Sequence, residues 1–300
     1  MSTLSMLPSL FHLQAATGRA RCGSRLRSGW YNAAKRRCFT SNPHLKAWWL
    51  AGVTGFATVK RFSLRSHARI WFRGKEMGVE VHRLRLGITN CYLIKEEGLI
   101  LVDAGPWQKT ELLRRRLQAL SISPNDVSLI VLTHAHWDHV ASLGEWKEMT
   151  GCKVAVNNCE REWVEKALSP MPKAFSPWGR LFILFSGILA ATSHSSGTPV
   201  DLTLQDDGIS LEPFGISGKV LHTPGHTRGS MSVLLDNGDA FVGDLAMNGL
   251  PPRFRPGMPF LGDDPIAVKM SWRLLLDKGA KKMYPAHGNP FDASVLRKKL

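Results

Sequence analysis

Acidic residues are absent from the first quarter of the sequence. Residues 1–75 contain 14 lysines and arginines but no aspartate or glutamate, and Glu76 is the first acidic residue. Residues 77–300 carry a net charge of only about +2, although the whole 300-residue chain carries +15. The positive charge therefore belongs to the N-terminal segment, and the rest of the chain gives no indication of a nucleic-acid-binding surface.

Cysteines are few, and the apolar runs are too short to span a membrane. The five cysteines are odd in number and include no C-x-x-C pair, which predicts no disulfide framework and fits a reducing compartment. The apolar runs at 47–59 and 181–191 have 13 and 11 residues, whereas a membrane-spanning helix needs about 20. The first run is long enough only for peripheral contact with a membrane surface.

Sequence patterns of serine hydrolases and nucleotide-binding proteins are also missing. The chain contains no G-x-S-x-G, no Walker loop and no G-x-G-x-x-G. The sequence therefore predicts neither a serine nucleophile of that kind nor a phosphate-binding glycine loop.

The leader at 1–76 has the composition of an organellar transit peptide, rich in arginine and serine and free of acidic residues until its end. Arg37 stands directly before the tripeptide CFT, an arrangement that resembles mitochondrial presequence cleavage sites. We therefore predict a mitochondrial protein with one domain at 77–300. The alternative is an unused upstream start, with Met77 as initiator and a cytoplasmic location.

Beyond the leader, short strands alternate with helices. Turn residues at Glu97-Gly98 and Asn237-Gly238 predict two hairpins. Leucines spaced three and four apart predict a helix within 108–120, and a capped amphipathic pattern predicts another within 263–280. The segment 209–216 is predicted to be a strand. Because both halves of the domain are rich in strands, we predict an α+β fold of two facing sheets with helices outside.

A dense group of metal-competent side chains follows the apolar run 127–132. The sequence THAHWDHV places His134, His136, Asp138 and His139 where a buried strand gives way to a helix. The alternation of side chains breaks at such a junction, so neighbouring side chains can converge. Zinc accepts neutral imidazoles and carboxylates as ligands, and a catalytic zinc site keeps one position open for water.

Three further metal-competent residues follow later strands. His226 lies in a Gly- and Pro-rich turn between two strands, and Asp244 and His287 each end an apolar strand. Any one of them could be a hydrogen-bonded core residue. Their recurrence at strand ends, where loops gather, favours a single shared site.

Together with Asp103 in LVDAG, these residues form five ordered motifs, and the sequence resembles the metallo-β-lactamase superfamily over about 79–291. The resemblance implies a four-layer αβ/βα sandwich of two mixed β-sheets. It also implies two zinc ions, one held by His134, His136 and His226, the other by Asp138, His139 and His287, and both by Asp244. Asp103 is expected to orient these ligands rather than to bind metal. His222, four residues before His226, is expected to orient a ligand or to have a structural role.

The implied activity is hydrolysis by a hydroxide that bridges the two metals, with Asp138 and Asp244 as the catalytic carboxylates. Two neighbouring cations lower the pKa of a shared water toward about 7. The chain is similar to glyoxalase II and lactonases, but only 13 residues follow His287, so no C-terminal glutathione-binding domain is expected. We predict a lactone or thioester of a small molecule as substrate. The alternatives are a phosphodiesterase and a persulfide dioxygenase with one Fe²⁺, which the presequence favours.

Two segments are expected to shape the substrate pocket. An insertion at 169–200 has an apolar centre, where Phe182 and Phe185 are candidate substrate contacts. The alternative for this segment is a buried helix that covers a sheet edge. The Pro-rich loop after Asp244 carries Arg253 and Arg255, which either bind a carboxylate or phosphate of the substrate or are simply solvated. The sequence gives no indication of the oligomeric state.

Overall fold

The computed structural model describes residues 78–168, 171–181, 183–184, 196–249 and 254–300. The leader lies outside these residues, as do three of the four expected substrate contacts, namely Phe182, Phe185 and Arg253. The predictions made for them therefore remain predictions.

The first sheet contains six strands in sequence order, β1 to β6: Glu80–Leu86, Thr89–Lys95, Leu99–Val102, Leu129–Val131, Lys153–Asn157 and Leu202–Leu204. β1, β2 and β3 are antiparallel neighbours, and Gly87 at φ 89° permits the tight turn between the first two. β3 to β6 are parallel. Their carboxyl ends therefore lie at the same edge of the sheet.

The second sheet contains β7 to β12: Ile209–Ser210, Gly218–His222, Met231–Leu235, Asp239–Gly243, Lys282–Pro285 and Phe291–Asp292. Its strand order is β12-β11-β10-β9-β8-β7. The predicted turn at Asn237-Gly238 joins β9 to β10, with Gly238 at φ 96°. β10 and β11 are parallel, so the residues that follow them emerge side by side.

The described residues include six bounded α-helices, α1 to α6: Thr110–Ala119, Trp137–Val140, Leu143–Thr150, Arg161–Glu165, Pro265–Asp277 and Ser294–Arg297. Residues 177–181 and 183–184 are also helical. α5 begins at Asp264, whose carboxylate accepts hydrogen bonds from the backbone N–H groups of Ile266 and Ala267. Among the described residues, no helix combines the length and hydropathy needed to cross a membrane.

Side chains alternate along the central strands and create three apolar interfaces. In β4, Ile130 packs with the helices of the first sheet, whereas Leu129 and Val131 face the second sheet. In β10, Phe241 faces the first sheet and Val242 packs with α5. Strands covered on both faces need continuous apolar sequence. The predicted four-layer α+β sandwich of two facing mixed sheets with helices outside is confirmed.

The structure differs from the sequence prediction at 209–216. Only Ile209–Ser210 pairs as a strand, and Glu212–Phe214 forms a 3-10 turn. Pro213 lacks the N–H that a strand ladder needs, and Gly215 adopts φ 70°, so the chain turns after two residues. The sequence also does not predict α4, β12 and α6, because elements of two to five residues are too short to show a period.

The described part of the insertion at 169–200 packs on the loop between β10 and α5. Ala174 pairs with Leu261 as an isolated antiparallel bridge, and Ile183 packs against the same loop. The other face of this helical segment is open to solvent, since three large apolar side chains are 57%, 57% and 70% exposed: Trp178, Leu181 and Leu184. Most of the apolar centre at 181–191 lies outside the described residues, so the alternative of a buried helix there remains a prediction.

Candidate metal centre

The predicted metal ligands come together in loops that follow strand ends. Asp103 follows β3 and residues 134–139 follow β4 in the first sheet. Asp244 and His287 follow the parallel strands β10 and β11 in the second sheet, and His226 lies in the turn from β8 to β9. Parallel pairing within each sheet thus brings residues from distant parts of the sequence to one place.

Three buried histidines form the first group of potential ligands. The ligand atoms of His134, His136 and His226 all lie within 4.8 Å of one another. His136 Nδ1 is 3.0 Å from Nε2 of His134 and 3.0 Å from Nε2 of His226. Converging imidazole nitrogens suit zinc or another transition metal. We call this group the three-histidine cluster.

Two histidines and a carboxylate form a second group beside the first. The ligand atoms of Asp138, His139 and His287 also lie within 4.8 Å of one another, and all three residues are buried. Asp138 Oδ2 is 3.2 Å from His287 Nε2 and 3.7 Å from His139 Nε2. We call this group the Asp138 cluster.

Asp244 lies between the two clusters and faces both of them. Its Oδ1 is 3.4 Å from His139 Nε2 and 3.3 Å from His287 Nε2. Its Oδ2 is 3.6 Å from Nε2 of His226, in the three-histidine cluster. Asp244 can therefore offer one oxygen to each cluster. A third, overlapping set within the same 4.8 Å limit consists of His134, His139 and Asp244.

Two buried atoms of this centre have no hydrogen-bond partner among the described residues, namely His139 Nε2 and Asp244 Oδ1. A buried polar atom without a partner typically costs about 1–3 kcal/mol. A divalent cation would satisfy both atoms at once, because imidazole nitrogen and carboxylate oxygen are both metal ligands. The residues present thus fit a metal, and the chain carries a His/Asp metal-binding cluster.

Hydrogen bonds to the outer ring nitrogens decide which nitrogen faces the centre. His226 Nδ1 donates to the Leu261 carbonyl at 2.9 Å, and His287 Nδ1 donates to the Ile88 carbonyl at 2.9 Å. A carbonyl only accepts, so Nδ1 carries a proton in both rings. Nε2 is therefore the nitrogen that faces the centre, and it presents a lone pair whenever the ring is neutral. His136 is the exception, since its Nδ1 is the atom that faces the cluster.

Burial keeps the three-histidine cluster neutral. It lowers the pKa of His134 well below its usual value, and charge on the nearby histidines lowers it further. Burial also lowers the pKa of His136 to about 3 and lowers the pKa of His226. A neutral imidazole has a free lone pair, so these side chains can bind a cation without first releasing protons.

The Asp138 cluster has the opposite charge state. Burial opposes a charge on His287, but the carboxylates of Asp244 and Asp138 outweigh it and raise the pKa of His287 to about 10. Burial also opposes a charge on His139, whose pKa is nevertheless raised by nearby carboxylates, Asp103 foremost. Protons on these histidines offset the carboxylate charges in the metal-free protein. Metal binding at this cluster must therefore displace protons.

Asp103 lies behind a potential ligand rather than among the ligands. Its Oδ2 accepts a hydrogen bond from His139 Nδ1 at 2.9 Å, and its Oδ1 accepts one from the backbone N–H of Thr133 at 2.7 Å. Asp103 adopts φ 62°, a left-handed conformation that aspartate and asparagine tolerate better than most residues. Its carboxylate thus ties His139 to the start of the loop that carries His134.

Two residues that the sequence analysis does not identify support the centre. Thr89 Oγ1 donates to Asp138 Oδ2 at 3.0 Å. Glu160 is completely buried, and its Oε2 accepts from the backbone N–H of Ala135 at 2.5 Å. Thr89 lies in an ordinary strand sequence and Glu160 in a charged stretch typical of a solvated helix start, so neither gives a signal in the sequence.

Two other candidates, His222 and Arg255, are not among the grouped metal ligands. For His222, Nε2 is 2.8 Å from the Arg228 carbonyl and Nδ1 is 3.3 Å from Asp206 Oδ1. Its ring is therefore engaged outside the two clusters, which fits the structural alternative rather than the orienting role. Arg255, the one candidate arginine among the described residues, has an exposed side chain.

Residues 84–287 match the family model described as the metallo-beta-lactamase superfamily, and this range includes both clusters and Asp244. The chain belongs to the metallo-β-lactamase superfamily. Membership of this superfamily, the His/Asp cluster and relatives named as probable metallo-hydrolases together support a metal-dependent hydrolase.

Individual relatives in the metallo-β-lactamase superfamily are distant. The chain is 24% identical over 222 residues to the beta-lactamase-like protein 2 homolog of Drosophila melanogaster, covering 73% of this chain and 65% of that protein. It is 26% identical over 164 residues to a Bacillus subtilis protein named a probable metallo-hydrolase, covering 54% of this chain and 67% of that protein. The chain thus spans about two thirds of the length of both relatives.

The fold is shared with solved metallo-β-lactamase structures. The crystal structure of BLEG-1, a B3 metallo-beta-lactamase, matches with a TM-score of 0.55 at 22% identity. The match covers 72% of this chain and 95% of that one. At this level of identity the likeness concerns the fold alone.

Proposed function

We propose that the protein is a dinuclear zinc hydrolase that acts on an ester-like bond of a small molecule, preferably a lactone or a thioester. The position of Asp244 carries this proposal. Its Oδ1 is 3.3 Å from His287 Nε2 and its Oδ2 is 3.6 Å from His226 Nε2. One carboxylate that faces two sets of three ligands suits a pair of metal ions with a shared ligand.

The three-histidine cluster would hold one ion and the Asp138 cluster the other, with Asp244 contributing to both. When bound, two such ions supply a strong nucleophile from water at neutral pH and polarise the scissile carbonyl. The protein contributes the fixed positions of the ligands and a buried site from which bulk water is largely excluded.

Asp138 and Asp244 contribute fixed negative charge. Burial opposes their ionisation, but His139 and His287 outweigh it and hold the pKa of each carboxyl below its usual value. Both carboxylates are therefore ionised at neutral pH, so that they can hold cations and orient an attacking water by accepting its hydrogen bond. The Thr89 hydroxyl, 3.0 Å from Asp138 Oδ2, holds the first carboxylate in place.

Two features favour a small apolar substrate over a nucleic acid. Residues 77–300 have a net charge of only about +2, so they offer no broad basic surface to a phosphate backbone. The insertion at 169–200 contains a long apolar run and contacts the loop whose Leu261 carbonyl accepts from His226. The first feature argues against a nucleic acid, and the second supports a substrate with an apolar part.

Metal analysis and a pair of variants test the proposal. Protein purified under native-like conditions is expected to contain two zinc ions per chain and to hydrolyse acyl lactones or thioesters. Asp244→Ala should lower the metal content of both clusters and abolish turnover, because both lose a shared ligand. His222→Ala should stay within about tenfold of the wild-type rate. Two tightly bound metals and a near-normal rate in Asp244→Ala would contradict the proposal.

A second candidate function is an iron-dependent persulfide dioxygenase. The overlapping set of His134, His139 and Asp244 consists of two histidines and one carboxylate, the composition that non-haem iron enzymes use. One iron per chain, with oxygen consumption on addition of a persulfide, would select this function. A phosphodiesterase would instead be identified by efficient turnover of bis-p-nitrophenyl phosphate.

We also propose that residues 1–76 direct the protein to mitochondria, on the basis of their basic, acid-poor composition. A reporter fused to residues 1–60 should then be imported into mitochondria. A reporter that stays diffuse in the cytosol would favour translation from Met77. A chain that starts at Met77 should fold and be active in either case, because both sheets and both clusters lie beyond it.

A further inference from the structure

Glu160 is a buried carboxylate outside both clusters, between β5 and α4. Its side chain is inaccessible to solvent, and it accepts hydrogen bonds from three donors. The backbone N–H of Ala135 donates to Oε2 at 2.5 Å. The Thr227 hydroxyl donates to Oε1, and the backbone N–H of Gly229 donates to the same oxygen at 3.2 Å.

These donors lie on the two loops that carry the three-histidine cluster. Ala135 stands between His134 and His136, and Thr227 directly follows His226. The donors are 25, 67 and 69 residues from Glu160 in the sequence, so only the folded chain brings them together. One carboxylate thus spans both loops without being one of the grouped metal ligands.

Packing fixes the distance between Glu160 and the second loop. A Cβ atom added to Gly229 would lie 2.6 Å from Glu160 Cγ, so the loop approaches as closely as only glycine allows. The glutamate backbone is held as well, because its N–H donates to the Asn157 carbonyl at 2.9 Å. Glu160 is therefore held from its backbone to its carboxylate.

We infer that Glu160 is a positioning residue that keeps the His134–His136 loop and the His226 loop at the spacing that the three-histidine cluster needs to bind metal. This inference rests on the proposed two-metal function. The Asp138 cluster has separate supports, namely Asp103, Thr89 and the Ile88 carbonyl. Loss of Glu160 should therefore affect the two clusters unequally, which a general loss of stability would not do.

The substitution that tests this role is Glu160→Gln. Glutamine has nearly the same size as glutamate and keeps one acceptor oxygen. Its amide N–H₂ replaces the other acceptor oxygen and therefore faces one of the groups that donate to Glu160. Only one of the two backbone donors, Ala135 N–H or Gly229 N–H, can then be satisfied, although the Thr227 hydroxyl can turn to accept from the amide. The zinc affinity of the three-histidine cluster should fall by about 10-fold, the lower end of what is typical for direct outer hydrogen bonds to metal ligands, because Glu160 acts on the loops rather than on a ligand. The affinity of the Asp138 cluster should stay unchanged.

Two single-site backgrounds separate the clusters. His287→Ala leaves the three-histidine cluster intact, and His226→Ala leaves the Asp138 cluster intact. Zinc is titrated into each background in competition with a chelator, with and without Glu160→Gln. Glu162→Gln is the matched control, because Glu162 lies two residues away on the surface and pairs with Lys166 at 2.6 Å. The expected loss occurs only when Glu160→Gln is combined with His287→Ala.

A second readout does not require metal. Amide hydrogen exchange at Ala135 and Gly229 in the metal-free protein should become faster in Glu160→Gln than in wild type. If that variant does not fold, Thr227→Val removes one of the three donors and should give a smaller loss at the same cluster. Equal losses at both clusters, or no loss at either, would overturn the inference.

The proposed function is tested separately by the wild-type titration. Two zinc equivalents support it, and a single equivalent contradicts it. Whether the wild type binds one zinc ion or two, the role of Glu160 is decided by the His287→Ala background. There, proteins with and without Glu160→Gln both have an intact three-histidine cluster, and only their zinc affinities are compared.

Discussion

The Oδ2 atom of Asp103 lies 2.9 Å from Nδ1 of His139, and both side chains are buried. The same carboxylate accepts hydrogen bonds from the backbone N–H and the hydroxyl of Thr133, the residue before His134. One side chain therefore orients a ring of the Asp138 cluster and anchors the loop of the three-histidine cluster. An outer hydrogen bond of this kind sets the tautomer and basicity of a metal-binding histidine.

Asp103→Asn should weaken zinc binding at the Asp138 cluster by about 10–100-fold. Asparagine has the same size and tolerates the φ of 62°, so the effect reports the lost carboxylate rather than backbone strain. Competitive zinc titration measures it. The surface substitution Asp207→Asn serves as control and should leave the affinity unchanged. An unaltered affinity in Asp103→Asn would show that this carboxylate does not support the metal.

Gly243→Ala should reduce metal binding through a steric effect. Gly243 adopts φ 50° directly before Asp244, and an added Cβ would lie 2.4 Å from Thr133 Oγ1. The displaced hydroxyl would disturb the bonds from Thr133 to Asp103. Gly151→Ala is a matched control, since Gly151 has φ 67° with no atom within 4 Å of the added Cβ.

Both glycine variants should lose about 1 kcal/mol or more in the free energy of unfolding, because both carry an alanine in the left-handed region. Only Gly243→Ala should also lower the zinc content per chain, measured by elemental analysis. Equal zinc contents in the two variants would mean that the contact with Thr133 has no effect on the site.

Metal binding should release a proton from His287. Burial disfavours its charge, but Asp244 and Asp138 raise its pKa from 6.5 to about 10. Between pH 6.5 and about 10, His287 therefore keeps its proton in the folded metal-free protein, whereas the same residue has lost it in the unfolded chain. The pairing of protonated His287 with Asp244 and Asp138 stabilises the folded metal-free protein. This stabilisation is complete below pH 6.5 and is lost as the pH rises through about 10. Since zinc needs the neutral ring, its apparent affinity should rise with pH over the same range.

Calorimetry of zinc binding in buffers with different ionisation enthalpies should detect this proton. His222→Ala should release as many protons as wild type, because the His222 ring contacts Arg228 and Asp206 rather than either cluster. A binding enthalpy that is the same in all buffers near neutral pH would contradict the assigned charge state of His287.

The sequence predicts the four-layer fold because its signals are local. Continuous apolar runs such as 127–132 require strands covered on both faces, and the parallel strands then bring their following residues together. This rule brings Asp103 and His134 together in the first sheet and Asp244 and His287 together in the second. The approach of His226 and of the two sheets to each other is implied by the family resemblance alone. A period cannot be read from two residues, which is why β12 is not predicted.

The supports of the site depend on tertiary contacts and leave no pattern in the sequence. Glu160 stands in NNCERE, where glutamate usually faces solvent, and its role becomes visible only when Ala135 and Gly229 lie beside it. His222 shows the converse case. It stands four residues before His226 in a motif rich in metal ligands, yet its ring contacts Asp206 on another loop.

The insertion at 169–200 is linked to the metal centre through one backbone segment. The Lys173 carbonyl accepts from the backbone N–H of Gly262 at 2.8 Å, and Ala174 pairs with Leu261. The Leu261 carbonyl in turn accepts from His226 Nδ1 at 2.9 Å. The start of the insertion is therefore close enough to the metal centre for the segment to contact a bound substrate.

The length of the substrate's acyl chain should accordingly tune catalytic efficiency. If the apolar centre at 181–191 receives this chain, each buried methylene contributes about 0.8 kcal/mol, so kcat/KM should rise about tenfold per two-carbon extension until the space is filled. Polar substitutions at Phe182 and Phe185 should flatten this trend without changing the zinc content. Ile266→Ser on α5, at a side chain that is 71% exposed, is the control and should leave the trend intact. A flat profile in the wild-type enzyme would show that the insertion does not receive the substrate.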